Sequence, residues 1–391
     1  SGKKRTGNIL GLSKREAVLK LKEKGIAVTE VQEMKQTLLN KELSFGKQVK
    51  SQQFVIFLRQ FATLLRAGVS VVDSTNILSA QTESKALQKV LADVEEELRQ
   101  GNPLSSAMSK HRNVFPPMVI NMVSAGEAGG SLDDTLDQLA TYFEKQHFTK
   151  QKIISAMMYP MIVGVVAVFV VIFLLAKVVP TFAAMLQDAG GELPGITRFV
   201  LGASDFMQEF WWLLVLLAVI IYFTFFFIRR NKSSRYYFDY AVLKIPVFGK
   251  LLQKSALARM TRTLSSLFSS SVPILQSLSI VEKVVENEVV AKVIRESRSA
   301  LEGGQKLTTP MKKHWIFPPL VTQMISIGEE TGSLDEMLAK VADFYEKEVE
   351  TSTDRLKALI EPLMIVFLAS VVGTIVIAII VPMFEVYKTV G

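Results

Sequence analysis

The segment FPPMVINMVSAGEAGGSLDDTL, residues 115–136, returns 202 residues later as FPPLVTQMISIGEETGSLDEML, residues 317–338. Thirteen of the 22 aligned positions are identical, whereas average amino-acid usage gives about one or two matches by chance. Similarity of this kind at a fixed offset is the signature of an internal repeat. We therefore expect two copies of one structural unit, and we interpret the remaining sequence around them.

Each copy opens with Phe-Pro-Pro, and a residue before proline avoids the α-helical region. The backbone is therefore extended there, and a short apolar helix follows with proline at its start. The residues concerned are Phe115, Pro116 and Pro117 in the first copy and Phe317, Pro318 and Pro319 in the second. We predict that Gly126 or Gly328 ends this helix in a left-handed conformation.

A capping-box pattern follows the glycines at residues 131–134 and 333–336 and predicts the start of the next helix. The segment thus predicts a helix, a tight turn and a long helix. Its shared residues are also our candidates for a surface that faces a partner protein. Besides the Phe-Pro-Pro residues, these are Gly126, Glu127, Gly130, Ser131 and Leu132, with Gly328, Glu329, Gly332, Ser333 and Leu334.

Three uncharged runs concentrate the hydrophobicity of this 391-residue chain, whose apolar content is 49%. They cover residues 153–176, 211–228 and 362–384. At about 1.5 Å per residue they measure about 36, 27 and 34 Å, against a hydrocarbon core of about 30 Å. All three are long enough to cross a bilayer as helices.

The shortest run, residues 211–228, has an alternative interpretation as a buried core helix. Trp211 and Trp212 open it, three phenylalanines lie near its end, and Arg229 and Arg230 follow. Aromatic residues at both ends and a basic stop are typical of membrane interfaces. The sequence therefore favours a transmembrane helix.

The loops beside these runs differ in charge. Residues 229–244 contain five basic residues and one acidic residue, whereas residues 180–210 contain one basic and four acidic residues. By the positive-inside rule the first of these loops is cytoplasmic and the second lies outside. The amino terminus is then cytoplasmic, and the net charge of +8 needs no nucleic-acid partner to explain it.

These features divide the chain into eight parts. They are a leader (1–50), a first cytoplasmic bundle (51–152), a first transmembrane helix (153–180), an outside loop (181–210), a second transmembrane helix (211–228), a second cytoplasmic bundle (229–354), a third transmembrane helix (355–384) and an outside tail (385–391). The leader carries patterns for a helix after residue 13 and a short strand at residues 26–31. We predict an all-α membrane protein with two homologous cytoplasmic helical bundles and three transmembrane helices.

The helix after each capping box has an apolar stripe that continues into the next membrane segment. We therefore predict that each bundle is joined to a transmembrane helix without a break. Pro160 and Pro362 occupy equivalent positions where these helices enter the bilayer, and Pro180 and Pro382 occupy equivalent positions near the exits. Interior prolines bend helices, so we expect two bends in each span.

The sequence has no pattern of a nucleotide-binding or hydrolytic site, and its three histidines are isolated. The glycine turn at residues 126–130 lacks a following Lys-Ser or Lys-Thr, and the acidic residues behind it would repel a phosphate. Glu127, Asp133 and Asp134 are a possible Ca²⁺ site, although helix N-termini attract acidic residues without a metal. We predict no enzymatic activity and no cofactor.

One acidic residue, Glu361, directly precedes the third uncharged run, where the first repeat has Tyr159. One interpretation is an interfacial carboxylate paired with Lys357 one turn earlier. The other is a polar contact with a partner helix in the membrane. The sequence leaves both open.

Together these patterns resemble the type II secretion F proteins, the inner-membrane platform proteins of type II secretion systems and type IV pili. The resemblance covers residues 5–390 and rests on the two FPP…GE…GSL segments and on Tyr159-Pro160 and Glu361-Pro362. It also rests on the Val-Pro-x-Phe sequences at residues 179–182 and 381–384, and on the order bundle, two spans, bundle, one span.

The resemblance implies a non-enzymatic homo-oligomer in the bacterial inner membrane. Its bundles would meet a cytoplasmic hexameric secretion or pilus ATPase, and Arg59, Arg66 and Arg262 are our candidates for that contact. Its membrane part would meet pilin or pseudopilin subunits, other inner-membrane assembly proteins and the lipid bilayer. Secretion, adhesion, motility and DNA uptake share this architecture, so the sequence does not choose among them.

A repeat-built transporter or channel is the alternative class. Both repeats have one orientation and most of the duplicated sequence lies outside the membrane, which is unlike the midplane sites of repeat-built transporters. Three spans also enclose no pathway unless the chain oligomerises.

Overall fold

A computed structural model describes residues 49–188 and 194–390. The helix and strand predicted in the leader lie outside the described residues. Every regular element of the described part is a helix, so the predicted all-α class is confirmed.

The first repeat contains six helices, α1 to α6, within the described residues. They are α1 (Ser51–Arg66), α2 (Val71–Gln81), α3 (Lys85–Arg99), α4 (Leu104–Ser109), α5 (Pro117–Gly129) and α6 (Leu132–Phe173). A π-helical turn (Leu174–Val178) continues α6 into α7 (Val179–Asp188). Then come α8 (Gly195–Glu209) and the second apolar helix, α9 (Trp211–Arg230).

The second repeat reproduces this order. It consists of α10 (Lys232–Lys244), α11 (Phe248–Ser269), α12 (Ile274–Val284), α13 (Glu288–Glu302), α14 (Thr308–Lys313), α15 (Pro319–Thr331) and α16 (Leu334–Val390). Helix α11 corresponds to α1 and α16 corresponds to α6. Helix α10 has no counterpart among the described residues of the first repeat.

The ends of the short helices follow from their residues. Gly68 and Gly101, with φ of 85° and 86°, end α1 and α3 in the left-handed region that glycine adopts at low cost. The position equivalent to Gly68 is Ser271, which has φ 57° without being glycine. Ser84 begins α3 by accepting a hydrogen bond from the backbone N–H of Leu87.

The predicted helix end at Gly126 and Gly328 is wrong. Helix α5 continues to Gly129, and Gly130 takes the left-handed conformation with φ 68°; in the second repeat Gly332 does so with φ 75°. Gly126 and Gly328 are buried inside their helices. A β-carbon on Gly126 would lie 2.5 Å from the hydroxyl oxygen of Thr135 on α6, so glycine is needed there for close helix packing.

The predicted capping box of the first repeat is also wrong. Ser131 precedes α6, but its side chain makes no capping hydrogen bond. Its carbonyl oxygen instead accepts a hydrogen bond from the hydroxyl of Thr135 at 2.8 Å. In the second repeat the hydroxyl of Ser333 lies 2.6 Å from that of Thr331. The sequence therefore places the helix start correctly but not the bond that forms there.

One hydrophobic core runs through both bundles. In the first repeat, rings from α1, from the Phe-Pro-Pro segment and from α6 meet, with Phe54 and Phe143 edge to face at 5.1 Å. Across the repeats, Gln138 accepts a hydrogen bond from Ser270 at 2.7 Å. The two bundles therefore pack against each other and are not independent domains.

Three helices of the described chain are long and apolar enough to cross a membrane. The first and third extend far beyond the uncharged runs, because α6 begins at Leu132 and α16 begins at Leu334. Only 11% of the most apolar window of each is buried within the protein. Lipid or other helices must cover the remainder, as expected of membrane spans.

All four repeated prolines lie within helices of the described chain. Pro160 is buried inside α6, and Pro180 follows the π-helical turn at Leu174–Val178, a local widening that accommodates a missing backbone hydrogen bond. Helix α16 continues through both Pro362 and Pro382. The repeats therefore differ at this point, and the expected bends stay a prediction.

The predicted outside loop, residues 181–210, contains two helices in its described part. Val179 and Val200 pack with Ile375 and Ala378 of α16. The hydroxyl of Thr197 donates to the carbonyl oxygen of Ala378 at 2.7 Å. This segment is therefore a packed element that holds the first and third spans together.

Candidate functional site

The glutamate of the repeated segment binds the start of the neighbouring short helix. In the first repeat the carboxylate of Glu127 accepts hydrogen bonds from the backbone N–H groups of Leu104 and Ser105, the latter at 3.1 Å, and from the Ser105 hydroxyl. A carboxylate at a helix N-terminus satisfies unpaired donors and opposes the positive end of the helix dipole. Glu127 thereby fixes α4 to α5.

The second repeat uses Glu329 in the same way. Its Oε1 accepts a hydrogen bond from the backbone N–H of Leu307 at 3.0 Å. The next residue, Glu330, pairs with Lys306 at 2.7 Å. The sequence pattern singled out these glutamates without indicating their partners, because residues 22 or 23 positions away become neighbours only after the chain folds.

The remaining residues of the segment divide into buried and exposed groups. Phe115 and Phe317 belong to the core, and Gly126 and Gly328 provide close contacts between helices. The exposed part is the turn between the two helices, at Gly130, Ser131 and Gly332. A partner could reach this turn directly, whereas the buried residues act by shaping it.

In each repeat an arginine joins two corresponding helices, α1 to α6 in the first repeat and α11 to α16 in the second. Arg59 donates from Nε to Glu144 at 2.7 Å and pairs with Asp137 at 2.5 Å. Hydrogen bonding from Arg59 holds the pKa of Glu144 below its usual value of 4.5. In the second repeat Arg262 makes the equivalent bond to Glu346 at 2.7 Å and also pairs with Asp343.

The three arginines predicted to face an ATPase therefore differ in accessibility. Arg262 has 13% of its side chain exposed, whereas Arg66 has 56% exposed and reaches Asp137 only at 3.2 Å. The sequence did not indicate these intramolecular acids. Of the three, Arg66 is best placed to meet another protein.

A row of ion pairs joins the long helices of the two repeats. Lys145 lies 3.0 Å from Asp343, and Lys152 pairs with Glu350 and lies 3.8 Å from Asp354. We call these the interrepeat ion pairs. All lie on the bundle side of the uncharged runs, beside a cleft whose wall includes the exposed ring of Phe148. Helices α6 and α16 therefore form a pair.

The three acidic residues named as a possible Ca²⁺ site do not form a metal cluster in the described residues. Among residues 49–188 and 194–390, no group of three or more histidine, aspartate or glutamate side chains has the spacing of a metal site. Glu127 binds backbone N–H groups of α4, which directs its carboxylate away from a joint site with Asp133 and Asp134.

Comparison with protein families identifies the family to which this chain belongs. The family model described as "Type II secretion system (T2SS), protein F" matches residues 57–180 and 260–382. The chain belongs to the type II secretion system protein F family. Both matched regions begin in corresponding helices, α1 and α11, and end at or close to the repeated prolines Pro180 and Pro382, and α9 lies outside them. The family unit is therefore one bundle with one spanning helix, present twice.

Relatives in the protein F family carry two kinds of name. The chain is 40% identical over 380 residues to the "Type IV pilus assembly protein PilC" of Thermus thermophilus, covering 96% of this chain and 93% of the relative. It is 38% identical over 374 residues to the protein of that name from Pseudomonas aeruginosa, covering 95% and 96%. The "Type II secretion system protein F" of Aeromonas hydrophila is 32% identical over 378 residues, covering 96% and 97%. The chain is a membrane protein of this pilus and secretion class.

Proposed function

We propose that this protein is an inner-membrane component of a type IV pilus or type II secretion machine. In this role it couples a cytoplasmic hexameric ATPase to the insertion or extraction of pilin-like subunits at the base of a fibre. The observation that carries the proposal is the continuity of each bundle with a spanning helix: α6 joins the first bundle to the first span, and α16 joins the second bundle to the third. A continuous helix transmits displacement along its axis, whereas a flexible linker would absorb it.

The bundles are the ATPase-facing part in this proposal. Their placement in the cytoplasm rests on the basic loop at residues 229–244, and the amino terminus is then cytoplasmic as well. Arg66 and the exposed turn at Gly130 supply accessible groups at one bundle. The interrepeat ion pairs and the common core make both bundles respond together.

The spans are the part that faces fibre subunits, lipid and further copies of the chain. They leave large apolar side chains exposed, including Phe169 at 69% and Val366 at 63%. Such surface in the membrane is available to other transmembrane helices without disrupting a protein core. Homo-oligomerisation and contact with other inner-membrane assembly proteins use the same surface.

Deletion of the gene tests this function. We expect loss of surface fibres, or of the proteins secreted by the type II route, with recovery when the native chain is supplied from a plasmid. Normal fibres and normal secretion in the deletion strain would contradict the proposal. Solute uptake by proteoliposomes containing the purified chain would instead support the transporter alternative.

A further inference from the structure

Glu361 lies in a cleft between the two long spanning helices. The cleft is lined by residues of α6, among them Tyr159 and Pro160, and by residues of α16, among them Glu361 and Met364. Further along the helices, a β-carbon added to Gly164 would lie 3.7 Å from the methyl group of Met364. The two helices are therefore in register, and Glu361 is level with Tyr159 and Pro160.

This register places Glu361 level with the uncharged run of α6, beyond the basic residues that precede the two spans. The last charged residue of α6 before its uncharged run is Lys152, seven residues before Tyr159. Seven residues of helix advance about 10 Å, a third of a hydrocarbon core of about 30 Å. On α16 itself Glu361 is four residues, or about 6 Å, beyond Lys357. By both measures the carboxylate lies beyond the charged boundary of the span.

The carboxylate has no partner among the described residues. The ion pair with Lys357, one of the two interpretations of Glu361, does not form, and no hydrogen bond to the Glu361 carboxylate occurs in the described part of the chain. Glu361 is exposed, and Tyr159 across the cleft has 52% of its surface exposed. A carboxylate in hydrocarbon requires a compensating charge or donor, and intramembrane carboxylates of this kind mark functional contacts.

A second copy of this chain does not supply a positive charge at that depth. Residues 153–176, 211–228 and 362–384 contain no lysine, arginine or other charged residue. A positively charged partner group at that depth therefore comes from a different protein. The apolar walls of the cleft suit a helix, because small and apolar side chains allow close packing in lipid.

We propose that Glu361 is the docking point for a single membrane-crossing helix that carries a positively charged group just inside the bundle-side end of the spans. This inference deepens the proposed function, on which it rests, by assigning the contact with the fibre subunit to one cleft. Charge complementarity selects the partner, and the cleft between α6 and α16 orients it. The first repeat has Tyr159 at the matching position, so the site exists once in each chain.

Site-specific photocrosslinking tests the inference. A photoreactive phenylalanine analogue replaces Tyr159 in the otherwise native chain and in Glu361→Gln and Glu361→Asp backgrounds. We expect a crosslink to a small single-span subunit in the native background. It should fall at least fivefold in Glu361→Gln and persist in Glu361→Asp, with yields scaled to the amount of chain in the membrane.

Fibre assembly by the same glutamate variants, with Tyr159 retained, gives the second readout. Glu361→Gln should reach the membrane and oligomerise normally yet lower assembly at least tenfold, while Glu336→Gln, which removes an exposed carboxylate outside the membrane, should assemble normally. Normal assembly by Glu361→Gln, or crosslinks only to a second copy of the chain, would overturn the inference. The gene deletion separates failure of the docking site from failure of the proposed function. If the deletion stops assembly and Glu361→Gln does not, the docking site is wrong and the proposed function stands.

Discussion

Tyr142 of the first repeat places its phenolic oxygen 2.9 Å from the hydroxyl oxygen of Thr263 of the second repeat. Both side chains are buried, and burial raises the pKa of Tyr142 to about 12. The bond therefore joins two neutral hydroxyl groups near neutral pH. It joins the two bundles at the centre of their common core.

Removing this bond tests how tightly the bundles are joined. Tyr142→Phe and Thr263→Val should each lower the free energy of unfolding by about 1 kcal/mol, the usual net value of one buried hydrogen bond. The double variant should lose less than the sum of the two, because both changes remove one interaction. Chemical unfolding of the purified chain in detergent gives these values. Strict additivity would show that the two hydroxyls do not interact.

The glycines of the repeated segment should respond differently to alanine. Gly130→Ala meets open space and should cost about 1 kcal/mol for its left-handed backbone. Gly126→Ala places a methyl group against the Thr135 side chain, and Gly328→Ala places one 2.9 Å from the backbone Cα of Leu334. Since backbone yields less than a side chain, Gly328→Ala should lower the melting temperature most. Equal effects at Gly126, Gly328 and Gly130 would contradict this packing.

Only some features of this repeated segment can be predicted from the sequence. The repeat, the helix order and the three spans follow from spacing and hydrophobicity, which are local properties of the chain. Which of the glycines carries the positive φ does not follow, because Gly126 and Gly130 both suit a helix end by residue type. In the fold, Thr135 of the next helix packs directly against Gly126, so Gly126 is the close-packing glycine and Gly130 takes the left-handed conformation. Likewise the acids that pair with Arg59 lie 78 and 85 residues away and become its neighbours only in the fold.

The interrepeat ion pairs should make the stability of the folded protein depend on pH in the acidic range. Hydrogen bonds from Lys152 and then Lys347 lower the pKa of Glu350 from 4.5 to about 2. Because the folded pKa lies below the unfolded one, this stabilisation is present above about pH 4.5 and is lost as the pH falls toward 2. The melting temperature of the native chain should therefore fall across this range more than that of Glu350→Gln. Parallel curves for the two proteins would show that the pair contributes nothing measurable.

The orientation in the membrane can be tested with single cysteines, since the chain has none of its own. Ser204 is buried, so the exposed neighbour Ala203 is the better position in the outside segment, and exposed Ser234 represents the cytoplasmic side. A membrane-impermeant maleimide added to spheroplasts should label Ala203→Cys and should label Ser234→Cys only after lysis. The reverse pattern would place the bundles outside and exclude a cytoplasmic ATPase as their partner.

In the proposed function an unbroken helix carries displacement from bundle to membrane, and residues 149–151 of α6 lie at that junction. A triple Thr149→Gly, Lys150→Gly, Gln151→Gly variant weakens the helix there by about 3 kcal/mol relative to a triple alanine variant that removes the same side chains. The direct measurement is fibre or secretion output per membrane-inserted chain. We expect near-native output from the alanine variant and at least a fivefold loss from the glycine variant. Equal output from the two would contradict the claim that the continuous helix couples the two parts of the protein.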